Sequence, residues 1–134
     1  MSKKLCIVLV GAPCSGKSSA GKLVAERLNA GYISSGDIAR RMANNDSDIK
    51  HDLNMGKLAP EENMRKSIFN GLHDLFYKCG KDIVILDGFP RFGDQAKWLR
   101  DHLPTNVDIR YVLIHASLST VIERSAHRGR DDDK

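Results

Sequence analysis

Apolar residues fill three short stretches of this chain without a break, at 5–10, 83–86 and 111–114. Such runs, with no polar alternation, predict strands buried on both faces of a parallel sheet. Residues 32–34 make a weaker fourth candidate. Helical spacing of apolar positions fills the intervals. It predicts helices over 18–29, from about 37, over 48–54, from Pro60 to about Lys78, over 94–102 and over 118–127. Pro60 suits a first helical turn, and Glu61 and Glu62 are favourable beside the positive end of that helix. Strands alternating with helices predict an α/β domain with right-handed crossovers. The stretch 34–63 interrupts the alternation. It is polar, centred on Asn44-Asn45-Asp46-Ser47-Asp48, and reads as a small helical insertion on the sheet rim, where insertions shape binding sites. The whole, 1–134, reads as one domain.

The first apolar run leads into Gly11-Ala12-Pro13-Cys14-Ser15-Gly16-Lys17-Ser18, which fits G-x-x-x-x-G-K-[ST]. A strand before it and a helix after it turn the pattern into a phosphate-site prediction. Glycines let backbone N–H groups curl around a polyphosphate, and the helix N-terminus adds its dipole. Lys17 supplies a charge for the outer phosphates, and a hydroxyl at Ser18 or Ser19 can face Mg²⁺. The second run ends in a carboxylate, Ile83-Val84-Ile85-Leu86-Asp87. An acid at such a strand tip can hold Mg²⁺, through water because that ion sheds its waters reluctantly.

Composition narrows the classes further. The 134 residues carry 41% hydrophobic and 28% charged residues, ordinary for a globular domain with a real core. The net charge of +4 suits phosphates, but with 6% aromatics and no basic stripe it does not predict nucleic-acid binding. Cys6, Cys14 and Cys79 are odd in number and form no C-x-x-C, so they read as reduced thiols in a cytoplasmic protein, Cys6 in the core of the first strand. No apolar stretch is long enough to span a membrane, and the first run is too short for a signal-peptide core. The five histidines lack ligand spacing, so zinc is not expected.

Four segments in one order carry a family resemblance. They are the phosphate loop, Tyr32-Ile33-Ser34-Ser35-Gly36-Asp37-Ile38-Ala39-Arg40, Met55-Gly56-Lys57-Leu58-Ala59, and Leu86-Asp87-Gly88-Phe89-Pro90-Arg91-Phe92-Gly93-Asp94-Gln95-Ala96. The chain resembles the adenylate kinases, within the nucleoside-monophosphate kinases, over nearly its whole length. The block Asp-Gly-Phe-Pro-Arg is its most specific part. The resemblance implies a three-layer P-loop fold and reversible phosphoryl transfer from ATP to AMP, giving two ADP, with Mg²⁺ accompanying ATP. The partners expected are these nucleotides, and the expected state is a monomer.

By the same resemblance, Gly11, Pro13, Cys14, Ser15, Gly16, Lys17, Ser18 and Ser19 bind ATP, with Asp87, Ser18 and Ser19 toward the metal. Ser35, Gly36, Arg40, Lys57, Leu58, Ala59, Gly88, Phe89, Pro90, Arg91 and Gln95 surround AMP. A forked guanidinium at Arg40 and Arg91 suits the acceptor phosphate. Gln95 has both the donor and the acceptor needed to read adenine. Asp37 is expected to cap the helix that follows it. Arg124 and Arg128 share a helix face, and Arg128-Gly129-Arg130 resembles the first limb of a lid over ATP. With Lys17 and Arg91, Arg128 and Arg130 form the implied catalytic set. The family's second lid limb, fifth strand and terminal helix have no counterpart in these residues. A sheet of about four strands and a short or truncated lid over 127–134 are therefore expected. Two departures stand out: Cys14 replaces a usual Gly, and Ser18-Ser19 replaces Gly-Thr. Other acceptors (CMP, UMP or dAMP) and a non-catalytic nucleotide-binding role stay open as alternatives.

Overall fold

The computed structural model describes residues 3–11, 16–55, 60–91 and 93–114. Its strands are β1 (Lys4–Val10), β2 (Gly31–Ser34), β3 (Ile83–Asp87) and β4 (Val107–Leu113). They form one parallel sheet in the order β2-β3-β1-β4. The helices are α1 (Lys17–Leu28), α2 (Ser35–Asn45), α3 (Ser47–Asn54), α4 (Glu61–His73) and α5 (Gly93–His102).

Alternation along the strands feeds two cores, one on each face of the sheet. Cys6, Val8, Ile33, Val84 and Leu86 point to one face, where Ile38 of α2, Ile68 and Leu72 of α4, and Leu99 of α5 cover them. Leu9 and Ile85 point to the other and meet Ala25 of α1, with Ile7, Tyr32 and Ile83 packed around them. Two covered faces explain why β1 and β3 read as unbroken apolar runs. The result is the expected α/β three-layer arrangement with four strands. Burial pushes the Cys6 thiol up to about 12, so it behaves as an inert core residue.

The structure departs from the sequence pattern at three places. β4 begins at Val107, four residues before the apolar run, because Asp108 and Arg110 hide a strand lying at the sheet edge. Its apolar end is open rather than buried, with Tyr111 52% and Leu113 71% exposed. The helix expected to run from Pro60 to Lys78 ends as α-helix at His73 and continues as a π-helical turn over Asp74–Lys78. Finally, Asp37 does not cap α2. Ser34 is the cap, its hydroxyl accepting from the Asp37 N–H at 3.2 Å. The helix expected over 118–127 lies outside the described residues.

Candidate functional site

The sheet register sets the site. Asp87 ends β3 beside Leu9 of β1 and Ser34 of β2. The segments after β1, β2 and β3 therefore leave the sheet at one edge, beyond the carboxyl ends of the strands, where open α/β sheets bind ligands.

On one side of this edge stands α1. Gly16 precedes it with φ 94°, a conformation that costs glycine little, and no side chain caps the helix. Its first turn holds no acid of its own, so the N-terminal N–H groups suit an anion. Lys17 and Ser18, in that turn, both reach Asp87. The Lys17 ammonium lies 2.7 Å from Oδ1, and the Ser18 hydroxyl donates to Oδ2 at 2.7 Å. The Tyr32 phenol donates to the same Oδ2 at 2.6 Å.

Asp87 is only 1% exposed. Burial alone would raise its pKa, but hydrogen bonds from Lys17, Tyr32 and Ser18 reverse that and hold it below the ordinary carboxylate value. The phenol of Tyr32 is pushed far up by its own burial and by the neighbouring carboxylate, so it stays a donor. Asp87 and Ser18 offer hard oxygens, the donor chemistry Mg²⁺ prefers. Among the described residues no group of three or more His, Cys, Asp or Glu could cage a metal ion. A single carboxylate suits an ion that keeps its waters and leans on substrate phosphates. Ser19, the other hydroxyl, is exposed.

On the other side lie the starts of α2 and of the segment 88–91. Gly88 has φ 87°, and a Cβ there would run into Ser35 Oγ and come 3.8 Å from the Arg91 guanidinium. Ser35, Gly88 and Arg91 thus converge on one point. The Ser35 hydroxyl is buried and has no hydrogen-bond partner among the described residues. An orphan hydroxyl of this kind carries a desolvation cost that a polar ligand would relieve.

Both arginines of this side rest on the protein's own acceptors. Arg91 donates from Nε to the Gly88 carbonyl at 2.9 Å and is exposed, while Arg40 pairs with Asp37. The Arg40 guanidinium lies over Gly36, 3.3 Å from where a Cβ would stand. Phe89 is buried against Trp98 with ring centroids 6.0 Å apart, and the Phe89–Pro90 peptide is cis. Gln95 is buried too. Its carbonyl accepts from the Arg91 N–H and its amide donates to Glu61, both at 2.7 Å.

Of the residues predicted for the site, Gly11, Gly16, Lys17, Ser18, Ser19, Ser35, Gly36, Arg40, Asp87, Gly88, Phe89, Pro90, Arg91 and Gln95 are described. Pro13, Cys14, Ser15, Lys57, Leu58, Ala59, Arg124, Arg128 and Arg130 lie outside the described residues. Sequence reasoning missed Tyr32 and Glu61. Tyr32 was legible only as a weak strand residue, yet β2 pairs Tyr32 with Ile85, two residues short of Asp87. Glu61 read as a helix-dipole residue. Hydrogen bonds from Gln95 and then Arg65 hold its carboxyl below the ordinary value.

A groove of about 780 Å³ also opens between α2 and α4, lined by Ile38, Arg41, Met42, Asn45, Ser67 and Asn70 among others. None of the described acceptor residues lines it.

The chain is similar to known proteins over most of its length. A family model described as "AAA domain" matches residues 10–134. The adenylate kinase of Chlamydia muridarum is 33% identical over 139 residues, covering 92% of this chain and 55% of that protein. The adenylate kinase of Mycobacterium leprae is 35% identical over 133 residues, covering 95% and 72%. That of Nautilia profundicola is 35% identical over 135 residues, covering 96% and 68%. The chain spans little more than half the length of the chlamydial relatives it matches.

Proposed function

The chain belongs to the adenylate kinase family, and on that premise we propose that it transfers a phosphoryl group reversibly from ATP to AMP, giving two ADP. The observation that carries the reading is one sheet edge with two kinds of anion holder. The Lys17–Asp87 pair stands at the N-terminus of α1. Ser35, Gly88 and Arg91 converge beside it.

Phosphoryl transfer asks little covalent help of a protein. It needs two polyanions in line and their repulsion cancelled. The α1 N–H groups and the loop from Gly11 to Gly16 hold the donor phosphates. Lys17 exchanges the Asp87 carboxylate for the outer phosphate oxygens. Arg91 and Arg40 exchange the Gly88 carbonyl and Asp37 for the acceptor phosphate, with Ser35 Oγ donating nearby. An acceptor phosphate oxygen then attacks the γ-phosphorus as the bond to the β-phosphate oxygen breaks. Asp87, through water, and Ser18 would hold Mg²⁺, which would offset charge on the phosphate oxygens.

Helices α2 and α3 form the acceptor insertion of 34–63, in which Lys57, Leu58 and Ala59 contact the nucleoside; Gln95, from α5, reads the base. Arg124, Arg128 and Arg130 belong to the lid over ATP. The described residues contain no helix long and apolar enough to cross a membrane.

A coupled assay of the full chain with ATP and each of AMP, CMP, UMP and dAMP tests this. The expected result is fastest turnover with AMP and two ADP per ATP consumed. Faster turnover with CMP assigns the chain to another acceptor. Tight ATP binding with no transfer to any acceptor makes it a nucleotide-binding domain.

A further inference from the structure

The amide of Gln95 lies between two groups that cannot exchange roles. The Arg91 backbone N–H only donates, and the ionised Glu61 carboxylate only accepts. The Gln95 carbonyl faces the first and its NH₂ faces the second, each at 2.7 Å. Turning the amide over would set NH₂ against N–H and carbonyl against carboxylate. The orientation is therefore fixed by chemistry.

Glu61 is itself held in place. Its Oε1 also accepts from Arg65 at 3.1 Å, and Arg65 lies 3.4 Å from Asp94 and over the Trp98 ring at 5.5 Å. Glu61 opens α4 at the end of the insertion, whereas Gln95 lies in α5. The contact thus ties the insertion's exit to the segment bearing Arg91.

Orientation matters because an amide reads a base by which end donates. Adenine presents a ring-nitrogen acceptor beside an amino donor, and a keto purine presents the reverse, N–H beside carbonyl oxygen. We propose that Glu61 is a specificity-positioning residue, which fixes the Gln95 amide in one orientation and so makes the acceptor site prefer a 6-amino over a 6-keto purine monophosphate. The proposal rests on the reading of Gln95 as the acceptor-base contact. Glu61 acts through Gln95 and touches no reacting atom.

The test is a titration of the full chain with AMP and with IMP, which differ by that one amino-for-keto exchange. Trp98, the chain's one tryptophan, is the fluorescence reporter. Glu61→Gln replaces the acceptor-only carboxylate with a group that can donate or accept. The Glu61 side chain is 46% exposed, so the fold tolerates the change. The expected result is a preference for AMP over IMP reduced about tenfold, the scale of exchanging a charge-assisted hydrogen bond for a neutral one. In turnover the loss falls on the KM for AMP and leaves kcat in place. Glu61→Asp, still acceptor-only, keeps more of the preference than Glu61→Gln. An unchanged AMP:IMP ratio in Glu61→Gln, alongside weakened AMP binding in Gln95→Ala, overturns the role of Glu61 alone. Unchanged AMP binding in Gln95→Ala, or none in the parent chain, overturns the acceptor reading and this proposal with it.

Discussion

Replacing Lys17 with Met removes one charge and nearly preserves side-chain shape. It leaves the Asp87 carboxylate, 1% exposed, with the two hydroxyls at 2.7 and 2.6 Å as its remaining side-chain donors among the described residues. Stripping a buried charge of its partner costs about 3–5 kcal/mol. The two hydroxyls soften that toward the value of one charge-assisted hydrogen bond, about 1.5–3 kcal/mol. With a urea slope of roughly 1.5 kcal/mol/M, the unfolding midpoint should fall by about 1–2 M. The pH dependence has a definite sign. Asp87 titrates lower in the folded chain than its ordinary 3.8. Its stabilisation is therefore present above that value and lost as pH falls through the folded pKa. Removing Lys17 raises the folded pKa, so the gap between the two proteins is widest near neutrality and narrows on acidification. Urea titrations followed by circular dichroism between about pH 7 and about pH 3.5 measure it. A gap under about 0.5 kcal/mol at neutrality, or one that does not narrow with acid, refutes the reasoning. The lysine would then contribute only the packing of its methylenes.

Two further substitutions probe neighbouring contacts. Tyr32→Phe removes one of the donors on Asp87 and should cost about 1–2 kcal/mol in a thermal melt, with its acid transition moved to higher pH; a melt and acid profile like the parent's would remove the phenol from the site. Gly88→Ala forces a side chain into φ 87° and its Cβ into Ser35 Oγ, a combined cost of about 2–4 kcal/mol, and a stability loss below about 1 kcal/mol would show that this junction is loose.

The parts of the chain that read clearly were those where one interaction dominates. β1 and β3 are apolar because both faces of the sheet are covered, so their runs announced them. Asp87 announced itself as a carboxylate closing such a run, and its pairing with Lys17 follows from the sheet register. The start of β4 was hidden because edge position lets Asp108 and Arg110 sit in a strand. The sequence suggests Asp37 as the cap of α2, yet Ser34, three residues before it, takes the N–H. Both residues are good caps, and only the end of β2 decides which one stands at the boundary. Tyr32 and Glu61 were illegible for a deeper reason. Each acts through a partner far away in the chain, Asp87 and Gln95, and no local pattern encodes such a pairing.

Most direct for the account as a whole is a crossed calorimetric titration, with Mg²⁺·ATP and AMP titrated separately into the parent chain, Lys17→Ala and Arg91→Ala. The account predicts that losing the ammonium weakens ATP by at least about tenfold and spares AMP, and that losing the guanidinium does the opposite. Equal loss of both nucleotides in either variant, or no loss of ATP without Lys17, would contradict it.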